Sequence, residues 1–259
     1  MEHDFSTVTE LPGSKASKEQ YDRLCHRYHF ASNFCEGKDI LEAACGAGIG
    51  LGYLAKKARM VVGGDIDPDI LRFAKEHYKN DNKIDIGLFD ADEMPFSNNS
   101  FDIIILYEAI YYLKDPKKFI EEAFRILKKK GMLIICTVNN NWADFNPSPL
   151  SNRYFSAFEL YSLMKIRFAD IQIYGAFSVK ANNVKGRAIS ILKRAAVKLH
   201  LMPKTMNGKE FFKRIFFGRL LELPHELTYN AGRQIDVKDL DAASLNTDYK
   251  VLYAVACKK

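Results

Sequence analysis

Apolar positions along the chain fall into two alternating rhythms. Short runs rich in Val, Ile and Leu, bounded by Gly, Asp, Asn or Lys, read as strands: "KDILEAAC", "MVVGGD", "KIDIGLF", "FDIIILY", "MLIICTV", residues 168–174, and "YKVLYAVAC" near the end. Between them lie segments with helical spacing. Residues 19–35 place Tyr21, Leu24, Tyr28 and Phe30 or Ala31 on one face, and residues 49–58 form a second helical segment. Asp67–Pro68 and Asp115–Pro116 are helix starts, because Asp caps free amides and Pro suits the first turn. The first of these helices runs to about Tyr78. The second is expected to end on "KKKG", with lysines on the negative pole and Gly131 as a left-handed stop. Ser156 and Glu159 have capping-box spacing for one more helix. Alternating strands and helices predict an α/β fold, a largely parallel sheet covered on both faces. Such sheets bind ligands beyond the carboxyl ends of their strands.

Those ends are acidic. The first strand closes on Glu42, the second on Asp65, the third near Asp90 and Asp92, and the fourth on Tyr107 and Glu108, with no Lys or Arg among them. A polyphosphate site normally offers a cation as well as backbone amides, so this rim suits a ligand with positive charge, hydroxyls and an amino-bearing ring. The turn "ILEAACGAGIGLGYLA" agrees. Counting G-x-G-x-x-G from Gly46 lands on Leu51, and from Gly48 on Tyr53, so neither register is a dinucleotide fingerprint. Asp65 can accept from both hydroxyls of a ribose. Asp90 can accept from an exocyclic amine, while Ile66 and Met94 offer apolar surface to a flat ring. Asp92 and Glu93 read as solvated loop charges, and Glu108 fits either pocket or surface.

These segments resemble class I S-adenosylmethionine-dependent methyltransferases. "LEAACGAGIG" is similar to that family's E-x-G-C-G-x-G-x-G loop, with Ala44 where the family often has Gly. "GGDIDPDIL" and "FDADEMPFSNNSFDIIILYEAIYYLKDPKKFIEEAFRILKKKG" follow it in order, over about residues 36–138. The resemblance implies S-adenosyl-L-methionine as cofactor and a Rossmann-like seven-stranded sheet, mostly parallel, with its last strand antiparallel. It also implies roles for particular residues. Glu42 and the Ala43–Gly48 loop, including Cys45 and Gly46, surround the methionine part. Asp65 takes the ribose hydroxyls, Ile66 flanks the adenine, Asp90 and Ala91 meet its edge, and Tyr107 lies beside the sulfonium. An N-terminal helix in this family often covers the site, although Tyr21 and Tyr28 also suit core packing.

Charge adds a further segment. The formal net charge is +6, but residues 180–220 hold eleven Lys or Arg against one acid, so the remainder is acidic. Residues 178–232 are long for a connection between strands and carry an amphipathic basic pattern. They read as a helical insertion before the last strand: a lid over the acceptor, or a surface for an anionic membrane, with nucleic-acid binding the least favoured. The expected organisation is an N-terminal helical cover (1–35), the cofactor-binding core (36–177), the basic lid (178–232) and a final strand completing the sheet (233–259). Five cysteines without a Cys-x-x-Cys pair read as reduced thiols. With no leader pattern or long apolar run, the expected location is cytoplasmic, with a peripheral membrane association through 178–232 as its variant.

The acceptor is less legible. No Asn-Pro-Pro-Tyr motif follows the fourth strand, which argues against methylation of nucleobase or glutamine amides. Tyr107, Tyr111, Tyr112, Asn140 and Trp142 suit a ring-shaped or sugar-like acceptor. The expectation is an O-methyltransferase of a natural-product, sugar or glycan-type hydroxyl. The alternatives are a lipid or quinone methyltransferase at a membrane, or a non-catalytic protein that binds the cofactor. Candidates for a general base are Tyr111, His29, His225 and Glu226, and no residue pattern signals a catalytic metal. The residues indicate no oligomeric state.

Overall fold

The structure is a computed structural model that describes residues 8–148, 150–179, 219–229, 231–232 and 235–259. Its elements, in chain order, are β1 (Lys15–Ala16), α1 (Lys18–Ser32), β2 (Asp39–Ala43), α2 (Leu51–Ala55), β3 (Met60–Asp65), α3 (Pro68–Tyr78), β4 (Ile84–Leu88), β5 (Phe101–Tyr107), α4 (Pro116–Ile126), β6 (Leu127–Val138), α5 (Ala157–Met164), β7 (Asp170–Ser178), β8 (Leu221–Glu222), β9 (Lys238–Leu240) and β10 (Tyr249–Cys257). Most of the predicted basic insertion lies outside the described residues.

Helix starts follow the capping chemistry. Ser17 caps α1 with a full capping box to Gln20, Asp67 caps α3 with Pro68 behind it, and Asp115 does the same for α4 with Pro116. Ser156 and Glu159 close the expected capping box on α5. The end of α4 differs from expectation. It stops at Ile126, "KKKG" lies within β6, and Lys130 rather than Gly131 takes the left-handed conformation, at φ 64°. Other groups satisfy the helix end: the amides of Asn99 and Ser100 reach the carbonyls of Arg125 and Ile126. The Lys258 ammonium donates to the carbonyls of Phe124 and Leu127, each at 2.7 Å. Lys128 is drawn instead to Asp39 and Asp102, at 2.8 and 2.9 Å.

The main sheet has eight strands in the order β4-β3-β2-β5-β6-β10-β7-β9. Pairings from β4 through β6 are parallel, and β10 lies antiparallel between β6 and β7, as the resemblance implied. The eighth strand, β9, pairs antiparallel with β7 at the edge and carried no apolar run to announce it. Alternation along β2 and β5 separates two cores. Ile40, Ile103 and Ile105 pack with α1, α2 and α3 on one face, while Leu41, Ile104 and Leu106 pack with α4 and α5 on the other.

Two features roof the carboxyl ends of the strands. The first is α1, whose Leu24 and Tyr28 join the core. The second is the stretch from Val8 to Ala16, held by the β1–β8 pairing and by backbone bonds between Gly13 or Ser14 and Leu223. No helix among the described residues is long and apolar enough to cross a membrane.

Candidate functional site

A cavity of about 1150 Å³ opens beyond the ends of β2, β3 and β5 and is roofed by residues 8–11 and α1. Glu42, Cys45, Gly46, Asp65, Ile66, Asp90, Ala91 and Tyr107 are on its wall. Ala43 and Gly48 are not. Ala43 is buried in the α4–α5 core, and Gly48 turns toward α3, where an added Cβ would sit 2.7 Å from that of Ala74. With φ at 72°, Gly48 shapes the loop instead of touching its contents.

The loop folds onto Asp65. Its Oδ2 accepts from the Gly46 amide at 2.8 Å and its Oδ1 from the Asp67 amide at 3.0 Å. Both carboxyl oxygens are thus tied to backbone amides, and the side chain lies on the cavity wall. Burial pushes this carboxyl up from its ordinary value, and the amides oppose it. Ala44 adopts φ 55°, a conformation suited to glycine, so its methyl group is accommodated at a cost in backbone energy.

Glu42 is 1% exposed. One of its oxygens accepts from the Tyr28 hydroxyl at 2.7 Å, and Oε2 has no hydrogen-bond partner among the described residues. Burial is the main cause of a carboxyl pKa pushed up to about 7. Tyr107 donates to the Arg27 carbonyl at 2.8 Å and meets Tyr28 edge-on.

The cations that the strand ends lack come from α1. Arg23 and Arg27, one turn apart, both reach the cavity wall, and the Arg27 side chain is 8% exposed. Arg27 pairs with Glu10 from the roof, and the fields of Glu10 and Glu108 hold it firmly charged against burial. The i, i+4 arginine pair beside the apolar face of α1 was the available signal.

At the third and fourth strand ends, Asp90 accepts from the Asp92 amide at 2.9 Å. Asp92 is not a solvated charge: it is 7% exposed, lines the cavity and accepts from the Asp115 amide at 3.1 Å. Glu93 is exposed and paired with Lys118. Met94 is buried in the core rather than on the wall, while Ile66 is half exposed at the cavity edge. Glu108 lies on the wall at φ 51°, and its carboxylate accepts from the Tyr111 hydroxyl at 3.0 Å.

Of the candidate bases, only Tyr111 lines the cavity. His29 is 3.4 Å from the Tyr53 hydroxyl, while His225 stacks on His77, which also lies 3.3 Å from Glu226. These three sit on the α2–α3 side, away from the wall. Tyr112 joins Tyr111 at the cavity. Asn140 donates to Glu159, and Trp142 lies against Arg23 and Lys250. Among the described residues, no group of three or more His, Cys, Asp or Glu is placed to hold a metal.

This donor set fits S-adenosyl-L-methionine. It combines a carboxylate for a ribose diol, a buried oxygen lacking a donor, an acidic surround for a cation, and an arginine for a carboxylate. Comparisons with known proteins agree. Residues 41–135 match the family described as Methyltransferase domain. A probable S-adenosylmethionine-dependent methyltransferase of Mycolicibacterium smegmatis is 32% identical over 151 residues, covering 56% of this chain and 54% of that protein. A ubiquinone biosynthesis O-methyltransferase of Coxiella burnetii is 29% identical over 108 residues, 41% of this chain and 46% of its own. The chain thus spans about half the length of the curated relatives it matches. A crystal structure of a Thermotoga maritima S-adenosylmethionine-dependent methyltransferase, a possible histamine N-methyltransferase, shares the fold. It superposes with a TM-score of 0.55 at 18% identity, covering 93% of this chain and 95% of that one. Residues 41–135 are thus similar to a methyltransferase domain, and the sheet order is the fold seen in S-adenosylmethionine-dependent methyltransferases.

Proposed function

We propose that the protein transfers a methyl group from S-adenosyl-L-methionine to a hydroxyl of a small, ring-bearing acceptor. The observation that carries this reading is a single cavity whose wall combines Glu42, Asp65 and Arg27 with Tyr107, Glu108, Tyr111 and Tyr112. The cofactor, when bound, supplies a methyl group already activated on a sulfonium, so the protein's part is to bind, orient and exclude water.

On this reading Asp65 accepts from the ribose hydroxyls. Ile66 lies against the adenine, with Asp90 and Ala91 at its edge. The Glu42 oxygen that has no partner accepts from the ammonium of the methionine part, and Arg27 receives its carboxylate. The loop at Cys45 and Gly46, shaped by Gly48, gives the backbone a close approach. Tyr107 borders the reacting centre. Aromatic walls then hold a flat or sugar-like ring, and the O-methyltransferase named among the relatives supports oxygen as the atom modified.

A second reading concerns where the acceptor resides. The same relative acts in ubiquinone biosynthesis, and residues 178–232 carry a basic, amphipathic pattern. Both favour a lipid-linked acceptor reached from an anionic membrane surface. In the organisation we propose, residues 1–35 cover the core (36–177), and 178–232 act as lid or membrane contact before the closing segment (233–259).

Calorimetry with S-adenosylhomocysteine, followed by a screen of hydroxylated acceptors for its steady release, tests the main reading. Binding with turnover supports it; binding without turnover of any acceptor leaves a cofactor-binding protein, and absence of heat removes the reading altogether. Cosedimentation with anionic vesicles tests the second, and no association at low or physiological salt rejects it.

A further inference from the structure

We infer that Glu108 is the general base that removes the proton from the acceptor hydroxyl, with Tyr111 as the residue that positions it. This rests on the hydroxyl reading above. It also supplies what the four sequence candidates do not, since three of them lie away from the cavity.

The geometry is specific. Glu108 follows Tyr107 at the carboxyl end of β5, the central region of the sheet. Its backbone sits at φ 51°, which is costly for a residue with a side chain and is sustained by the Glu108 amide bonding to the Cys136 carbonyl at 2.8 Å. That conformation turns the chain just past β5 and leaves Glu108 on the cavity wall between Tyr107 and Tyr111. Tyr111 donates to Oε2 at 3.0 Å, and its ring stacks on Tyr154 at 4.6 Å between centroids, so its hydroxyl is held in place. Oε1 has, among the described residues, only the weak Cys136 thiol as a hydrogen-bond donor, at 4.0 Å. Among the described residues no cation forms a salt bridge with Glu108; Arg27 and Arg23 act on it only at longer range.

These surroundings suit a proton acceptor. Burial raises the carboxyl above its ordinary value, whereas Arg27, Arg23 and the Tyr111 hydrogen bond pull it down. A carboxyl held above its ordinary value is a stronger proton acceptor than a free glutamate, which suits it to take a proton as charge leaves the hydroxyl. In the step itself the acceptor O–H proton goes to Glu108 while an oxygen lone pair forms the new O–CH3 bond. The S–CH3 bond breaks with its electrons returning to sulfur, so charge and atoms balance.

The test uses the full chain with two hydroxyl probes, 3,4-dihydroxybenzoate and a methyl glucoside, and benzylamine as an amine probe. Glu108→Gln should lower kcat on the better hydroxyl probe by about a hundredfold to ten-thousandfold, while its dissociation constant for S-adenosylhomocysteine stays within about threefold. Glu108→Ala should recover part of the rate with added formate. Tyr111→Phe removes a bond that stabilises the carboxylate, so the acid limb of its kcat/KM profile should move up by about one pH unit. Carboxyl ¹³C titration of Glu108 reads the same group without turnover. It should titrate above ordinary glutamate in the wild type and higher still in Tyr111→Phe. Full hydroxyl methylation by Glu108→Gln with an unchanged pH profile would overturn the base while leaving the hydroxyl reading intact. So would an ordinary titration that Tyr111→Phe does not move. Turnover of benzylamine but of neither hydroxyl probe would overturn both.

Discussion

Tyr28 on α1 donates its phenolic hydrogen to Glu42 on β2 at 2.7 Å, so the roof of the cavity is bonded to its floor. The acceptor is a buried carboxyl with a pKa pushed up to about 7, chiefly by burial. An unfolded glutamate titrates near 4.3. Between these values the folded chain retains a proton that the unfolded chain releases, so this group makes stability fall as pH rises through that window and level off above it.

Glu42→Gln removes that titration. Without cofactor, the variant should match the wild type below about pH 4 and exceed it progressively toward pH 8, by at most about 4 kcal/mol. Urea unfolding at a series of pH values measures the gap. A gap that stays constant with pH would show that Glu42 titrates normally.

Ala44 offers a test of backbone energy. An alanine held at φ 55° bears a left-handed penalty of about 1–2 kcal/mol, whereas glycine there costs about 0.4–1 kcal/mol in unfolded-state entropy. Ala44→Gly should therefore stabilise the chain by roughly 0.5–1 kcal/mol. The same substitution in an ordinary helix or strand destabilises. A lower urea midpoint for the glycine variant would contradict the assignment of strain at this position.

How far the chain announced this site depends on how local each signal is. Asp67–Pro68, Asp115–Pro116 and Ser156–Glu159 act within one turn of their own helices, and all three appear as predicted. The strand ends at Asp65 and Tyr107 follow from apolar runs that stop abruptly. "KKKG" was misread because the group that serves the end of α4 is Lys258, 134 residues from Phe124 in sequence. Arg27 was overlooked for a similar reason. It lies on a helix that is adjacent to the strand ends in space but distant in sequence. Asp92 looked solvated because only the packing of the segment before α4 against it, through the Asp115 amide, reveals its burial.

Asp65 carries the proposed ribose contact, and hydrogen bonds to a charged acceptor are worth about 1.5–3 kcal/mol. Losing even one should weaken S-adenosylhomocysteine binding by about tenfold, and losing two by about a hundredfold or more. Asp65 also organises the Gly46 and Asp67 amides, so Ala there disturbs the loop as well as the contact. Asp65→Asn keeps an acceptor for one amide and is the sharper variant. Calorimetry should show its affinity reduced by about tenfold with a thermal midpoint near that of the wild type. Unchanged affinity would remove Asp65 from the cofactor's contacts.

The Glu10–Arg27 pair has the opposite consequence for binding. Arg27 is a buried cation whose partner comes from the roof, and on the proposed reading the cofactor's carboxylate must share or replace that partner. Glu10→Gln leaves the guanidinium without its counter-ion, so the ligand-free chain should lose thermal stability. The same change removes a competitor. S-adenosylhomocysteine should therefore bind Glu10→Gln about threefold to tenfold more tightly than the wild type. 5′-Methylthioadenosine, which has the adenosine and sulfur but no amino-acid carboxylate, should bind both alike. That contrast separates a specific exchange at Arg27 from a general loosening of the roof. Equal gains for both ligands would assign the effect to access and leave Arg27 with a structural role alone.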